Sequence, residues 1–187
     1  MTVAVGHYLL DKSASKFTVQ AFAGGMLAAL GHSPTIAIRD FSGEADFDAA
    51  APDKASLKIQ IRADSLEVTD DIKSTDRAEM ESTMNQKVLE TAKYPSISFE
   101  AATTSVTQLN EGRYQVKMDG KLSLHGTTGK EPIAVQVTLI GDMMRASGAF
   151  TLLQSDYGIQ RVNVAGGTLK LKDELKFNFD IVARKQG

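Results

Sequence analysis

The sequence contains three histidines, His7, His32 and His125, whose side chains titrate nearest to neutral pH. They lie far apart in the chain, and no pair has the HExxH or HxH spacing that would bring two imidazoles to one metal ion. His32 follows the apolar stretch MLAALG, and His125 lies where a strand pattern meets a turn. The pattern favours a structural His32 that donates to a backbone carbonyl where the chain turns. It leaves open a ligand-pocket rim at His32, and an enzyme or metal site around His32 and His125.

The other reactive side chains form no recognisable catalytic set. There is no cysteine, which excludes disulfides, thiol catalysis and cysteine-ligated metals. The acidic pairs Asp70-Asp71 and Asp173-Glu174 stand in turn-like contexts, where solvated carboxylates are common. The sequence lacks a G-x-S-x-G motif, and its glycine-rich stretches AGGMLAALG and AGGTLK lack the phosphate-loop pattern. We therefore expect no enzymatic activity, no metal site and no resident cofactor.

The charge balance and the apolar runs indicate whether the protein binds nucleic acid or spans a membrane. Lysine plus arginine (21) and aspartate plus glutamate (23) nearly cancel, without the basic stripe of a nucleic-acid-binding surface. The longest apolar run, residues 21–30, is about half of the roughly 20 residues that a membrane span needs. The N-terminal stretch has no basic region followed by an apolar core, as a signal peptide would. We expect no nucleic-acid partner and no membrane span, and a cytoplasmic location as written, or a periplasmic one if the sequence is trimmed.

Alternation of apolar and polar residues predicts most of the secondary structure. In RYQVKMDGKLSLH the residues Tyr114, Val116, Met118, Leu122 and Leu124 share one face, which is typical of a strand with one buried side. The same period occurs in SLKIQIR, PIAVQVTLI, MRASGAFTLLQ and ELKFNFDIV. Further strands are expected at 17–23, 35–48, 96–102 and 168–172, and turns at 110–112, 126–132 and 141–142.

Residues 74–95 break this alternation and predict one amphipathic helix. Met80, Met84 and Val88 are four residues apart, Ser74 or Thr75 is the expected N-cap, and Pro95 forbids continuation. No repeat or linker is visible, so we expect one all-β domain over residues 1–187. About eight strands with one apolar face each must close into a barrel or form two packed sheets.

The inward-facing positions are rich in phenylalanine and methionine. An eight-stranded barrel is of the size at which side chains fill the interior or leave room for one small ligand. A solid core and a lipophilic cavity require the same alternation, so this pattern does not choose between them.

The order of motifs resembles the YceI-like family of lipocalin-like, polyisoprenoid-binding proteins. The resemblance is carried by YLLD, KFTVQAF, IRDFSGEADFD, VLETAKYPSISFEA, GKLSLHGTTGKEPIAVQVTLIG, LLQSDYGI and LKDELKFNFDIV, which together span nearly the whole chain. It implies an eight-stranded antiparallel barrel with a helix near one end and an interior that holds a long isoprenoid chain. Two places depart from the family pattern: Glu79 and Met80 stand where an Arg-Asp pair is usual, and AGGMLAALGHSP replaces a His-Leu-Gly segment.

The resemblance makes a binding or carrier protein for a long apolar, isoprenoid-like ligand the leading functional hypothesis. A solid-core barrel with a stress-response or interaction role is an alternative, as is the histidine site described above. A homodimer is left open. The expected ligand-binding residues come from the altered segment, the helix and the inward strand faces: Phe22, Met26, Leu27, Leu30, His32, Met84, Val88, Phe99, Phe150 and Phe177.

Overall fold

The structure, a computed structural model, describes residues 6–24, 33–164 and 169–187. Within these ranges the strands are β1 (Gly6–Leu10), β2 (Lys16–Gly24), β3 (Thr35–Ile38), β4 (Phe41–Phe47), β5 (Ser56–Arg62), β6 (Leu66–Val68), β7 (Ser96–Asn110), β8 (Arg113–Leu124), β9 (Thr127–Ile140), β10 (Met143–Leu153), β11 (Asn163–Val164) and β12 (Leu169–Lys185). One α-helix, α1 (Ser74–Thr83), continues into a π-helical turn at Met84–Val88.

Eight strands form a closed antiparallel ring. The order is β1-β4-β5-β7-β8-β9-β10-β12, and β12 returns to β1 through the pairs Tyr8↔Lys185 and Leu10↔Ala183. Closure gives every ring strand two neighbours over at least part of its length, which leaves far less exposed edge than an open sheet would have. The predicted eight-stranded barrel with one helix is confirmed.

Three neighbouring strands of the ring are each broken once. The first broken strand consists of β1 and β2, which both pair with β12. The second consists of β4, paired with β1, and β3, paired with β2. The third consists of β5, paired with β4, and β6, paired with β3. The breaks, at residues 11–15, 39–40 and Ala63–Ser65, form what we call the break line. The strand expected at 35–48 is therefore two strands, because the alternation continues on both sides of a short interruption.

Serine hydroxyl groups replace the missing strand hydrogen bonds along the break line. Ser65 Oγ accepts from the Asp40 amide (3.0 Å) and donates to the Arg62 carbonyl (2.7 Å), and Ser65 is only 9% exposed. Ser15 Oγ accepts from the Val182 amide at 2.9 Å. These bonds satisfy backbone groups that would otherwise lose both water and a strand partner.

Beyond the break line the barrel wall has a gap that the helix covers. β5 reaches β7 through Arg62↔Ser96, but within the described residues β6 pairs only with β3. Helix α1 contacts β6 there, and Glu81 Oε1 accepts from the Val68 amide at 2.9 Å. The helix side chain thus supplies the acceptor that a neighbouring strand would have provided.

The predicted helix is present, but the expected N-cap is wrong, because Ser74 and Thr75 are both helical residues. The position before the first helical residue is Lys73, and no side chain caps the end. The π turn ends at Val88, and Glu90 adopts a left-handed conformation (φ 47°) before Pro95. A π turn closes one residue later than an α turn, and the Leu89 amide donates to the Met84 carbonyl in this way.

The predicted turn at 126–132 is also wrong. The chain turns at His125 and Gly126, both with positive φ (52° and 75°), and β9 begins at Thr127 and includes Pro132. β10 pairs only with Gln136–Ile140 of β9, so the other side of β9 at Pro132 has no strand partner among the described residues. Proline is tolerated at such an unpaired edge because no ladder hydrogen bond is lost. The turns predicted at 110–112 and 141–142 are confirmed.

The two ends of the barrel differ. At one end, called the closed end, short turns join β7 to β8 and β9 to β10. At the other end, called the mouth end, β2, β6, β8 and β10 finish, and the connection that carries the helix, residues 69–95, lies there. The closed end is filled by large side chains, with the rings of Phe47 and Tyr114 packed edge to face at 5.1 Å, and a void of only about 40 Å3 remains beside them.

Ser65→Ala is expected to lower the free energy of unfolding by roughly 1–3 kcal/mol, because the partly buried Asp40 amide loses its acceptor. Urea denaturation measures the change. Ser42→Ala, at an exposed position of β4, is the matched control and should stay within about 0.5 kcal/mol of wild type. Equal small effects in the two variants would contradict the role given to Ser65.

Glu81→Ala is expected to speed hydrogen exchange at the Val68 amide by about tenfold, because the helix then no longer supplies its acceptor. Glu81→Gln keeps a carbonyl oxygen at the same place and should preserve slow exchange. Hydrogen exchange followed residue by residue by NMR measures the rate at the Val68 amide. If that amide exchanges as slowly in Glu81→Ala as in the wild type, the helix does not close the wall at this place.

Candidate ligand cavity

The mouth half of the barrel is hollow. A cavity of about 430 Å3 lies between the inner faces of the strands and the helix that covers the gap. Its lining is apolar along its strands, with Ile59 and Ile61 of β5, Leu122 and Leu124 of β8 and Ile133 of β9. The cavity is about ten times larger than the void at the closed end, so the empty space is concentrated in one half of the barrel.

A stack of three phenylalanines forms part of the wall. Phe150 and Phe177 are direct cross-strand partners on β10 and β12, with ring centroids 5.0 Å apart and nearly parallel planes (11°). Phe99 of β7 continues the stack, with its centroid 6.4 Å from that of Phe150. Phe99 lies over Gly120, where a Cβ atom would approach its ring to 2.4 Å. Glycine at that position therefore leaves the space that the ring occupies.

Several inward-facing apolar side chains are only half-buried although they lie inside the barrel. Ile36, Leu57, Leu66, Leu175 and Phe177 belong to this group, and all of them line the cavity. Their uncovered surface faces the hollow rather than a packed neighbour. Apolar surface without partner atoms loses both dispersion contacts and burial, so filling the hollow with an apolar molecule would be favourable.

Polar lining residues are concentrated at the mouth end. Helix α1 contributes Asp76, Glu79 and Thr83 from one face, since these positions are three and four residues apart. Gln154 comes from the turn that follows β10, and its side-chain amide donates to the Lys172 carbonyl at 3.0 Å. The cavity thus offers apolar contacts in its depth, and the carboxylates of Asp76 and Glu79 lie at its rim, exposed to solvent.

The segment after β10 is held at the mouth by a second set of polar contacts. The Ser155 amide donates to Asp173 Oδ1 at 2.9 Å, and the Ser155 hydroxyl bond to the same carboxylate holds the pKa of Asp173 below its usual range. Tyr157 is 1% exposed and donates to Glu131 Oε1 at 2.7 Å. Burial, followed by this carboxylate, raises the Tyr157 pKa well above its ordinary value, so the phenol keeps its proton.

The structure places five of the expected ligand-binding residues in the cavity wall: Met84, Val88, Phe99, Phe150 and Phe177. Phe22 is half-buried on β2 and is not a lining residue, whereas its neighbour Ala21 is, as the alternation of a strand requires. Met26, Leu27, Leu30 and His32 fall outside the described residues. Whether any of these side chains binds a ligand stays a prediction.

Sequence reasoning missed the polar group at the mouth, Asp76, Glu79 and Thr83. The signal was present, because these residues fall on the same helical face as Met80 and Met84. Only the structure shows that this helical face also borders the cavity.

The described histidines lie outside the cavity lining. His7 contacts Asp46 (2.8 Å) near the closed end. His125 contacts the Glu90 carboxylate (2.6 Å) and the Tyr157 carbonyl (3.2 Å), and its ring lies 4.6 Å from that of Tyr94. It thereby joins the end of the helical segment to the turn between β8 and β9. Across residues 6–24, 33–164 and 169–187, no group of three or more histidine or carboxylate side chains could hold a metal ion.

Among the described helices, none has the length and apolar character needed to cross a bilayer.

Comparison with known proteins gives relatives of similar length. A UPF0312 protein of Pseudomonas savastanoi pv. phaseolicola is 27% identical over 188 residues, which cover 95% of this chain and 87% of the relative. A UPF0312 protein of Azotobacter vinelandii is 28% identical over 169 residues, covering 89% and 74%.

Solved structures share the fold. BcnA from Burkholderia cenocepacia matches with a TM-score of 0.71 at 19% identity, over 92% of this chain and 98% of that one. A polyisoprenoid binding domain from Saccharophagus degradans, implicated in plant cell wall breakdown, matches with a TM-score of 0.69 at 15% identity, over 98% and 100%. The model of the YceI-like domain matches residues 8–183, and this chain therefore belongs to the YceI-like family.

Proposed function

We propose that this protein is a non-enzymatic binding or carrier protein that holds a long apolar, isoprenoid-like molecule inside the barrel. The observation that carries the proposal is the cavity of about 430 Å3 with apolar walls in the mouth half. A solid-core barrel would not leave such a space. The fold shared with the Saccharophagus degradans polyisoprenoid binding domain supports the same class of ligand.

The cavity volume limits how much of a ligand the barrel encloses. It is roughly three times the volume of the apolar cavity that takes up one benzene molecule in a well-studied engineered protein. The enclosed part of a chain would therefore have on the order of 15 to 20 carbon atoms, or about three to four isoprene units. A longer chain would extend past the mouth, because Phe47 and Tyr114 fill the closed end.

The driving force is the burial of apolar surface on both partners. Each methylene group removed from water contributes about 0.8 kcal/mol, and part of this is offset by the ordering of the chain. The wall needs few directed polar contacts for such a ligand. In this proposal the protein carries its ligand unchanged and needs neither a metal nor a redox cofactor.

The chain-length dependence of binding tests this function. Affinity for geraniol, farnesol, geranylgeraniol and solanesol is expected to rise by about tenfold or more from geraniol to farnesol, and to level off beyond geranylgeraniol. Displacement of a fluorescent apolar probe measures it. Binding of none of these alcohols would contradict the proposal, and a steady rise through solanesol would contradict the filled closed end.

A side chain that fills the cavity should weaken binding without unfolding the protein. Ala21 is 3% exposed and lines the cavity, so Ala21→Phe places a ring in the hollow and is expected to weaken farnesol binding by about tenfold or more. Gln20→Phe adds the same ring to the opposite face of β2 and is the matched control. Val88→Phe repeats the test from the helical side.

Thermal unfolding without ligand shows that each variant is folded. Wild-type farnesol affinity in folded Ala21→Phe and Val88→Phe would place the ligand outside the cavity. Equal losses in Gln20→Phe and Ala21→Phe would also contradict the proposed site.

A further inference from the structure

His125 connects three parts of the structure that border the cavity. Its Nε2 lies 2.6 Å from Glu90 Oε2, just after the helical segment, and its Nδ1 lies 3.2 Å from the Tyr157 carbonyl oxygen, in the turn after β10. We call these two contacts the His125 bridge. The His125 side chain is only 11% exposed, so water competes little for the contacts.

The His125 bridge lies directly beside the cavity wall. Each of its three residues is within three positions of cavity-lining residues in the chain: Leu89, Leu124, Gln154 and Ile159. Loss of the bridge would therefore loosen the wall at the place where the end of the helical segment meets the barrel.

The backbone is unusual at both ends of the contact between Glu90 and His125. Both residues have positive φ values (47° and 52°), which residues other than glycine seldom adopt. Gly126 follows with a φ of 75°, and a Cβ atom there would lie 2.6 Å from the ring of Tyr94. Such conformations persist where surrounding contacts favour them, and here they bring the two side chains together.

Both partners of the His125 ring are hydrogen-bond acceptors. An ionised carboxylate and a backbone carbonyl have no hydrogen to donate, so each contact needs an N–H group on the ring. A neutral imidazole has one N–H group, whereas an imidazolium has two. The complete bridge therefore requires the second proton on His125.

We propose that protonation of His125 controls the release of the ligand: the imidazolium holds the end of the helical segment on the cavity wall, and loss of its proton as the pH rises frees this end. The inference rests on the proposed function, to which it adds a regulation of the same cavity. Neutral His125 keeps one contact and turns a nitrogen lone pair towards the oxygen of the other partner, which leaves that contact unmade. Release is therefore slow while both nitrogens carry protons and faster at higher pH.

The other ionisable groups around the bridge do not account for a change near neutral pH. They are carboxylates, phenols and one ammonium group: Glu90, Glu131, Asp156, Tyr94, Tyr157 and Lys93. The hydrogen bond to Tyr94, then the charges of Tyr94 and Glu90, raise the pKa of Lys93. Burial, followed by the bond to Glu131, raises the pKa of Tyr157. Among these side-chain types, imidazole alone ordinarily changes its charge between about pH 5 and 8.

The rate of ligand release tests the inference. Farnesol, which is uncharged at any of these pH values, is bound to the 187-residue chain and chased with an excess of the fluorescent probe in a stopped-flow instrument. Release from the wild type is expected to be about tenfold faster at about pH 9 than at about pH 6, because one charge-assisted hydrogen bond is lost. Nitrogen-15 NMR of the His125 ring should show two protonated nitrogens at the lower pH and one at the higher pH.

Two variants of the bridge should remove the pH dependence in opposite ways. His125→Asn tolerates the positive φ but cannot reach both partners, so it should release farnesol at the fast rate at both pH values. Glu90→Gln has an amide that accepts from an N–H group and also donates to a bare ring nitrogen, so it should release farnesol slowly at both. His7→Asn is the matched control, because His7 also contacts a carboxylate, Asp46 (2.8 Å), but near the closed end. It should keep the wild-type pH dependence.

Wild-type release rates within about twofold of each other at the two pH values would overturn the inference. A pH dependence that persists in His125→Asn or Glu90→Gln, or that disappears in His7→Asn, would overturn it as well, and so would a neutral His125 ring at the lower pH. Thermal unfolding without ligand shows that each variant is folded, and Glu90→Gln tests the bridge by itself if His125→Asn is not. These outcomes leave the proposed function standing, whereas farnesol that binds at neither pH would remove the function and the inference together.

Discussion

Closure of eight antiparallel strands into one ring sets the width of this barrel, and the side chains on its inner face must then fill a space of fixed size. At the closed end they do so, with Tyr8, Phe47 and Tyr114 among the large buried residues. At the mouth end the inward residues are mostly aliphatic, and the rings of Phe99, Phe150 and Phe177 stack on one another although β8 and β9 separate β7 from β10 in the ring. The cavity follows from this unequal distribution of side-chain volume within a ring that cannot contract.

The break line and the helix depend on the same closure. Breaks in three adjacent strands let β6 part from β7, and a barrel open at that point would expose backbone groups and the interior. Glu81 and the apolar residues Met84 and Leu89 bring the helical segment onto the gap. The wall of the cavity is therefore strand on most sides and helix on one, and the helical side is where the polar lining residues of α1 lie.

Much of the fold could be predicted from the sequence, because alternation is a local property of each strand. It identified the strands of the ring except β1, which no predicted strand covers, and it identified three cavity phenylalanines, Phe99, Phe150 and Phe177. It could not identify the break line, because the structural role of Ser15 and Ser65 can be recognised only when the strands are placed side by side. The turn that begins β9 was predicted too long, because Pro132 suggested a loop although it lies at an unpaired edge of the strand.

The presence of the cavity could not be predicted from the sequence. Whether inward residues meet across the lumen depends on their volumes in three dimensions, and the same pattern serves a solid and a hollow barrel. The place of Asp76 and Glu79 beside the cavity was missed for a related reason: they look like ordinary surface residues of a helix until the cavity next to them is seen.

The central claim is that an apolar chain occupies the mouth half of the barrel and not the closed half. Isotope-filtered NMR on methyl-labelled protein with bound geranylgeraniol tests it directly. The account predicts intermolecular contacts from the ligand chain to the methyl groups of Ile59, Leu122 and Leu175, and none to Val116 or Val137. Contacts confined to exposed residues such as Leu109 and Ile140, or extending equally to Val116 and Val137, would contradict it.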